Sequence, residues 1–326
     1  MLTAQSQSRG LVVGILGPTG VGKTAVAVEL ACLWGTRVIS CDSMQIYRGF
    51  PVLTNQPSAE ERAAVRHELI DFADPLRGFS AVEYAALAQP LIAEDLQVHG
   101  RALLVGGTGL YMRAALAPLA ARPRGDEQLR SELEARAAAG EGPALHAELA
   151  VLDPVAAGSI DPRNLRRVVR ALEAVLVSQQ PWSGRGDLWR PRYYHPTLIV
   201  GLVRERSELH RYIEKRAERL VRGGAVEEVH RFRDAYGRET TRPGASGIRS
   251  AIGYREIWRY LEGEQTLEAT VQEVAAATRR YARRQLTWLR KVEGAVIIDV
   301  QGKQPEHVAR EIAGLACAYE NHRELT

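Results

Sequence analysis

Gly17-Pro18-Thr19-Gly20-Val21-Gly22-Lys23-Thr24 reads G-x-x-x-x-G-K-[ST] in full, after the apolar run Leu11–Leu16 and ahead of an Ala-, Val- and Leu-rich stretch at 24–34. The chemistry this spacing serves is phosphate binding. The glycines let successive backbone N–H groups converge on phosphate oxygens, and the amino end of the following helix adds favourable potential. Lys23 brings a mobile positive charge, and the Thr24 hydroxyl is of the type that ligates Mg²⁺. The strand before and the helix after separate the motif from a chance glycine-rich turn. It calls for a diphosphate or a triphosphate without saying which.

Two further positions bear on that choice. The strand expected at 102–105 ends in Gly106-Gly107-Thr108-Gly109, where a nucleotide hydrolase would carry an Asp for Mg²⁺. Asp71, after Leu69-Ile70, is the alternative holder of that role, but its flanking run is too short to convince. A motor or switch ATPase is therefore not expected. Asp42 stands just past a strand expected at 37–40, on the same sheet edge as the phosphate loop. A carboxylate there can accept a proton from a nucleophile aligned with the bound phosphate compound. The other reading is an Asp that caps the next helix, since Asp42-Ser43-Met44-Gln45 resembles a capping box. Both stay open on the residues alone. Thr108, at the end of another strand, is placed to hold a ligand oxygen.

These residues need a scaffold. Strands expected at 11–16, 37–40, 102–105, 198–203 and 295–300 are interleaved with helices, the first at 24–34 and 81–97. That pattern is α/β: a P-loop NTPase-like parallel sheet with helices on both faces and ligands beyond the carboxyl ends of its strands. From residue 121 the texture changes. Arg122-Pro123-Arg124-Gly125 is a breaker, and charged, Ala-rich helical sequence follows it. We expect a small all-helical insertion at 123–160 within a core of 9–122 and 161–320, and long helices at 208–235 and 265–291.

At 326 residues, 45% hydrophobic and 25% charged, the composition is that of an ordinary globular protein, which excludes disordered, collagenous and membrane classes. Apolar runs are strand-sized, and residues 1–10 lack the apolar core of a signal peptide. Cys32, Cys41 and Cys317 show no paired spacing, so neither a disulfide framework nor a zinc knuckle is expected, and the cytoplasm is the expected compartment. Charge is uneven: residues 161–291 hold 27 of the 43 basic residues but only 16 of the 39 acidic ones. Clustered arginines neutralise phosphates and release counterions, so a polyanion such as nucleic acid is a natural partner for that half.

Together, Gly17–Thr24, residues 39–47, VGGTGLY at 105–111, RRVVRALE at 166–173, AIGYRE at 251–256 and TRRYARRQLTWLR at 278–290 closely resemble the tRNA dimethylallyltransferases, in that family's order. The resemblance implies transfer of a dimethylallyl group from dimethylallyl diphosphate to N6 of adenosine 37 in tRNA. It places the isoprenoid diphosphate, not ATP, in the phosphate loop at Gly17, Pro18, Thr19, Gly20, Val21, Gly22, Lys23 and Thr24, with Thr24 near Mg²⁺. It makes Asp42 the general base, Thr108 a holder of the diphosphate, and Lys23 and Arg216 its charge partners. Positions that meet the tRNA anticodon stem-loop would be Asp42, Ser43, Met44, Gln45, Thr108, Arg130, Arg166, Arg167, Val168, Val169, Arg170, Ser250, Gly253, Tyr254, Arg255, Arg283, Arg284, Gln285, Trp288 and Arg290. A monomer is implied, with the insertion clamping the anticodon stem.

The sequence departs from the family in three places. Leu53-Thr54-Asn55-Gln56-Pro57 stands where members read Gly-Thr-Ala-Lys-Pro, Ser178-Gln179-Gln180-Pro181 carries Gln where Gly is common, and the zinc finger of eukaryotic members is not expected. Three competing readings remain. A P-loop kinase of a small metabolite has no use for the basic half, and an adenylate isopentenyltransferase would not need arginines at 166–170 and 283–290. A non-catalytic, nucleotide-gated RNA-binding module would tolerate loss of Asp42.

Overall fold

The computed structural model describes residues 10–118, 126–181, 192–244 and 246–324. The chain divides into two compact units, Met1–Ala117 with Arg192–Thr326, and Pro118–Pro191. In chain order the elements are β1 (Leu11–Leu16), α1 (Lys23–Trp34), β2 (Val38–Ser40), α2 (Ala59–Ala64), β3 (His67–Glu68), α3 (Ala81–His99), β4 (Arg101–Gly106) and α4 (Gly109–Leu116). Then come α5 (Glu127–Ala138), α6 (Gly142–Leu152), α7 (Pro154–Ser159), α8 (Leu165–Ser178), β5 (Thr197–Val203), α9 (Arg206–Leu220) and α10 (Val226–Tyr236). The last are α11 (Arg238–Thr241), α12 (Tyr254–Leu261), α13 (Leu267–Leu289), β6 (Val296–Asp299) and α14 (Pro305–Glu324).

The first unit holds a six-stranded sheet in the order β3-β2-β4-β1-β5-β6, with every pairing parallel. β1 lies inside the sheet and is buried along its whole length, as a parallel strand covered on both faces must be. Side chains alternate between the two faces. Leu11, Val13 and Ile15 join Leu30 of α1 and Ile312 of α14 on one face, while Val12 and Leu16 join Tyr84 of α3 and Met112 of α4 on the other. The expected sheet and its faces are present. The edge strand β3 is only two residues long and α14 had no place in the expected order, although Val308, Ala309, Ile312 and Ala316 have the helical spacing that buries them.

The helix expected at 208–235 is two helices. A π turn at Val221–Ala225 separates α9 from α10, with Gly223 and Gly224 in non-helical conformations (φ −104° and φ 125°). Gly224 lies in the region that residues with a Cβ rarely enter, which fixes where the chain changes direction.

The second unit is larger than the insertion expected at 123–160. Helices α5 to α8 share a core of Leu133, Leu145, Leu149, Val168, Val169, Leu172 and Val175. α8 therefore belongs to this unit and not to the sheet-bearing core, because its strongly amphipathic pattern finds its apolar partner on α5 and α6. Gln179 ends α8 in the left-handed conformation, φ 51°, a position where glycine would be unstrained. Part of the loop expected at 180–196 lies outside the described residues.

Candidate active site

The phosphate loop, Asp42 and Thr108 all leave carboxyl ends of neighbouring strands. β2 and β4 stay close beyond their ends: Cys41 N–H donates to Val105 O at 2.7 Å and Thr108 N–H to Cys41 O at 3.3 Å. Gly106 permits this, since a Cβ there would collide with the Cys41 carbonyl. Asp42 and Thr108 are thereby neighbours across two loops. Thr108 Oγ1 accepts from Ser43 N–H at 3.1 Å and donates to Ser43 Oγ at 3.3 Å. Asp42 Oδ1 accepts Met44 N–H at 2.9 Å in a side-chain turn. No helix follows it; residues 43–46 are turn and Tyr47 bridges to Ala73. The capping-box reading therefore fails, and Gln45 instead accepts from Ser40 Oγ and donates to Asn55 O. Asp71 also has a local task, accepting Gly49 N–H at 3.0 Å from a left-handed residue, φ 59°.

Behind Asp42 the strand end is fixed by buried polar contacts. Tyr84, fully buried, donates to Ser40 O at 2.9 Å and meets Cys41 Sγ at 2.8 Å. Burial pushes the Cys41 thiol up to about 12, against the hydrogen bond with Tyr84, so it stays a neutral packing group.

In the phosphate loop Lys23 Nζ donates to Gly17 O and Pro18 O, both at 2.9 Å. Burial lowers its pKa to about 8; Asp42 opposes that shift and the Arg216 charge adds to it. Arg216, on α9, is lowered by burial as well, with Asp42 favouring its charged form and Arg219 disfavouring it. Lys23, Arg216 and Asp42 are thus within electrostatic reach of one another, and the structure brings together these three of the residues that the sequence singled out as candidates for catalysis. Two desolvated cations beside one carboxylate make a site short of negative charge, as a diphosphate pocket should be before it fills.

α13 closes the cluster with residues spaced by turns of a helix. Gln285 Oε1 accepts Thr19 N–H at 2.8 Å and its Nε2 donates to Gly107 O at 3.0 Å, so one buried amide joins the phosphate loop to the β4–α4 turn. Trp288 lies over Gly109, which has no room for a Cβ. Tyr281, one turn before Gln285, lies beside Thr108 and Gln285, and burial with the nearby Asp42 charge raises its hydroxyl to about 12. Tyr281 was not among the residues singled out from the sequence; its i, i+4, i+7 spacing with Gln285 and Trp288 was the available signal.

The positions matched to tRNA contacts separate into two groups. Arg255, Arg283, Arg284 and Arg290 are exposed in the first unit, as Arg166 and Arg167 are in the second, and Ser250, exposed, donates to Gly247 O. Others are engaged by the protein's own groups. Val168 and Val169 are core of the helical unit, and Tyr254 is fully buried with its hydroxyl on Thr241 O at 2.6 Å. Gly253 is a buried left-handed N-cap, φ 97°. Gln285 is committed to the two backbone groups above. Arg130 holds Glu173 with two hydrogen bonds (3.0 and 2.7 Å) and Arg170 joins at 3.2 Å. In the departing stretch, Leu53 is buried near Gly253, and Gln56 donates to Gln45 O and Tyr47 O while accepting from Arg62. Gln56 therefore acts as internal scaffolding and presents no charge.

A phosphate loop with a carboxylate and a threonine at the ends of nearby strands is the arrangement of a P-loop enzyme that acts on a phosphorylated compound. The family model for IPP transferase matches residues 45–292. A tRNA dimethylallyltransferase of Anaeromyxobacter dehalogenans is 43% identical over 300 residues, covering 91% of this chain and 97% of that one. The crystal structure of a full-length tRNA isopentenylpyrophosphate transferase from Bacillus halodurans is 36% identical, with a TM-score of 0.69 over 96% of this chain and 99% of that chain. A eukaryotic dimethylallyltransferase acting on tRNA shares the fold at a TM-score of 0.75 and 22% identity, over 89% of this chain and 74% of its own. The chain belongs to the IPP transferase family.

Proposed function

We propose that the protein transfers a dimethylallyl group from dimethylallyl diphosphate to the N6 amine of adenosine 37 in tRNA, releasing diphosphate. The observation that carries this reading is the convergence of the phosphate loop, Asp42 and Thr108 at neighbouring strand ends, with Lys23 and Arg216 within electrostatic reach of Asp42. Lys23, Arg216 and the loop N–H groups bind the donor diphosphate. Asp42, held by Met44 N–H, faces the amine. As the C1–O bond of the donor breaks, its electron pair leaves with the diphosphate, the N6–C1 bond forms, and the N6 proton passes to the Asp42 carboxylate. Charge growing on the leaving group meets cations already in place, which is the largest kind of term in such catalysis. Adenosine 37 has to leave its stack to enter, at a cost of a few kcal/mol. Exposed arginines on backbone phosphates offset that cost.

Among the described residues no group of three or more His, Cys, Asp or Glu is placed to hold a metal ion. Mg²⁺ binds through few protein groups together with substrate phosphates, and Thr24, in the first turn of α1, is the side chain that would hold it. When bound, the ion neutralises diphosphate charge. The protein acts as a monomer on the anticodon stem-loop, and among the described residues no helix is long and apolar enough to cross a membrane.

The test is Asp42→Asn. Turnover should fall by at least about a hundredfold, as general-base loss does, while Kd for tRNA and for diphosphate stays within a few-fold. Full turnover in that variant would remove Asp42 from the chemistry.

A further inference from the structure

Glu228, on α10, lies outside the phosphate loop and outside the motifs that carry the resemblance. It is 3% exposed, and its carboxylate faces the backbone of a segment 175 residues earlier. Oε1 accepts Val52 N–H and Oε2 accepts Leu53 N–H, both at 2.8 Å. Burial raises its pKa, opposed first by these two N–H groups and then by Arg231, with Glu227 adding to the rise. A carboxylate this buried is retained where both oxygens have donors.

The anchored segment runs on into the active site. Thr54 Oγ1 donates to Phe50 O at 2.7 Å, and Asn55 adopts φ 51°. Asn55 O then accepts Gln45 Nε2 at 2.7 Å, and Gln56 Nε2 donates to Gln45 O at 3.0 Å and to Tyr47 O at 3.2 Å. Gln45 Oε1 in turn accepts from Ser40 Oγ at the end of β2, so the turn that bears Asp42 is backed along its length. The other end of the support is also tied to the site. α10 starts at the Gly223-Gly224 break, and α9 on the far side of that break carries Arg216.

We propose that Glu228 is a positioning residue for the transfer, holding segment 52–56 so that the Asp42 turn keeps its place against the phosphate loop. The proposal rests on Asp42 acting on the target amine. In the departing stretch, Gln56 serves the support through its side-chain amide, with no lysine needed for that purpose.

The test uses the full chain with Glu228→Gln, Glu228→Ala and, as a control, Glu227→Gln on the exposed side of the same helix. Glutamine keeps the shape of glutamate but offers one acceptor and turns an NH₂ toward the other N–H, so a packing role survives it and an accepting role does not. We expect kcat for tRNA modification to fall about tenfold or more in both Glu228 variants, as loss of hydrogen bonds to a charged acceptor does. KM for the donor should stay nearly constant, and Glu227→Gln should match the wild type. Hydrogen exchange should quicken at residues 45–56 while β1 and β4 keep their protection. Wild-type kcat in Glu228→Gln would overturn the proposal. So would a loss of kcat accompanied by faster exchange throughout β1 and β4, which would make Glu228 a folding residue only. An active Asp42→Asn, by contrast, would sink the reading beneath the proposal whatever Glu228 does.

Discussion

Gln285 offers the sharpest quantitative prediction, because two different substitutions remove the same two hydrogen bonds. Gln285→Ala deletes the amide that accepts Thr19 N–H and donates to Gly107 O. Gly107→Ala leaves the amide in place but sets a methyl group where its nitrogen sits, so Gln285 must withdraw. Each neutral hydrogen bond contributes about 1 kcal/mol net. If the loop must be re-ordered at diphosphate binding, the loss approaches ~2 kcal/mol, or about 30-fold in Kd at 1.4 kcal/mol per tenfold. Calorimetric titration with inorganic diphosphate reads this directly. Both single variants should weaken binding by up to that factor. The double variant should be no weaker than the worse single one, because the shared bonds can be lost only once. Additive losses, with the double variant approaching the product of the singles, would show that Gly107 and Gln285 act independently and refute the bridge.

Other predictions follow from the same geometry. With Lys23 titrating near 8 in the empty site, diphosphate affinity should weaken as pH rises from 8, up to about tenfold per unit, and Lys23→Met should remove that inflection in a pH series of titrations. For the empty fold the sign is opposite: between about 8 and the unfolded value of 10.5 the unfolded chain holds more protons at this position, so Lys23 destabilises less as pH rises. Glu173→Gln should destabilise the α5–α8 unit by about 1–3 kcal/mol, discounted because Arg130 and Arg170 are 27% and 37% exposed, and should speed hydrogen exchange in α5 and α8. Burial raises the Glu173 pKa, but Arg130 and Arg170 outweigh it and hold the group below its ordinary value. Its stabilisation is therefore present above pH 4.5 and lost as pH falls through the depressed value. Gly109→Ala should displace Trp288 and quench or shift tryptophan fluorescence, with loss of turnover; an unchanged spectrum and rate would contradict the contact.

What the sequence revealed depended on whether the relevant signal was local. The phosphate loop is a run of eight residues whose function follows from backbone geometry, and Asp42 and Thr108 follow from strands that end beside it. Asp42 remained ambiguous because Asp-x-x-Gln fits a helix cap equally well; only the course of Gln45 toward Ser40 and Asn55 decides the matter. The membership of α8 was not legible, since an amphipathic helix announces an apolar partner without naming it. Nor was the role of Glu228, an acid that reads as surface until Val52 and Leu53 are folded against it. Basic residues were similarly ambiguous: Arg130 and Arg170 look like phosphate ligands in a list of charges, and Glu173 claims both.

The most direct test of the central claim is to incubate the purified protein with dimethylallyl diphosphate, Mg²⁺ and unmodified tRNA without ATP, then digest the RNA and weigh its nucleosides, with AMP replacing tRNA in a parallel reaction. The account predicts N6-dimethylallyladenosine at position 37 of the tRNA and none from AMP. Unmodified tRNA, with phosphate transfer or hydrolysis once ATP is supplied, would contradict it.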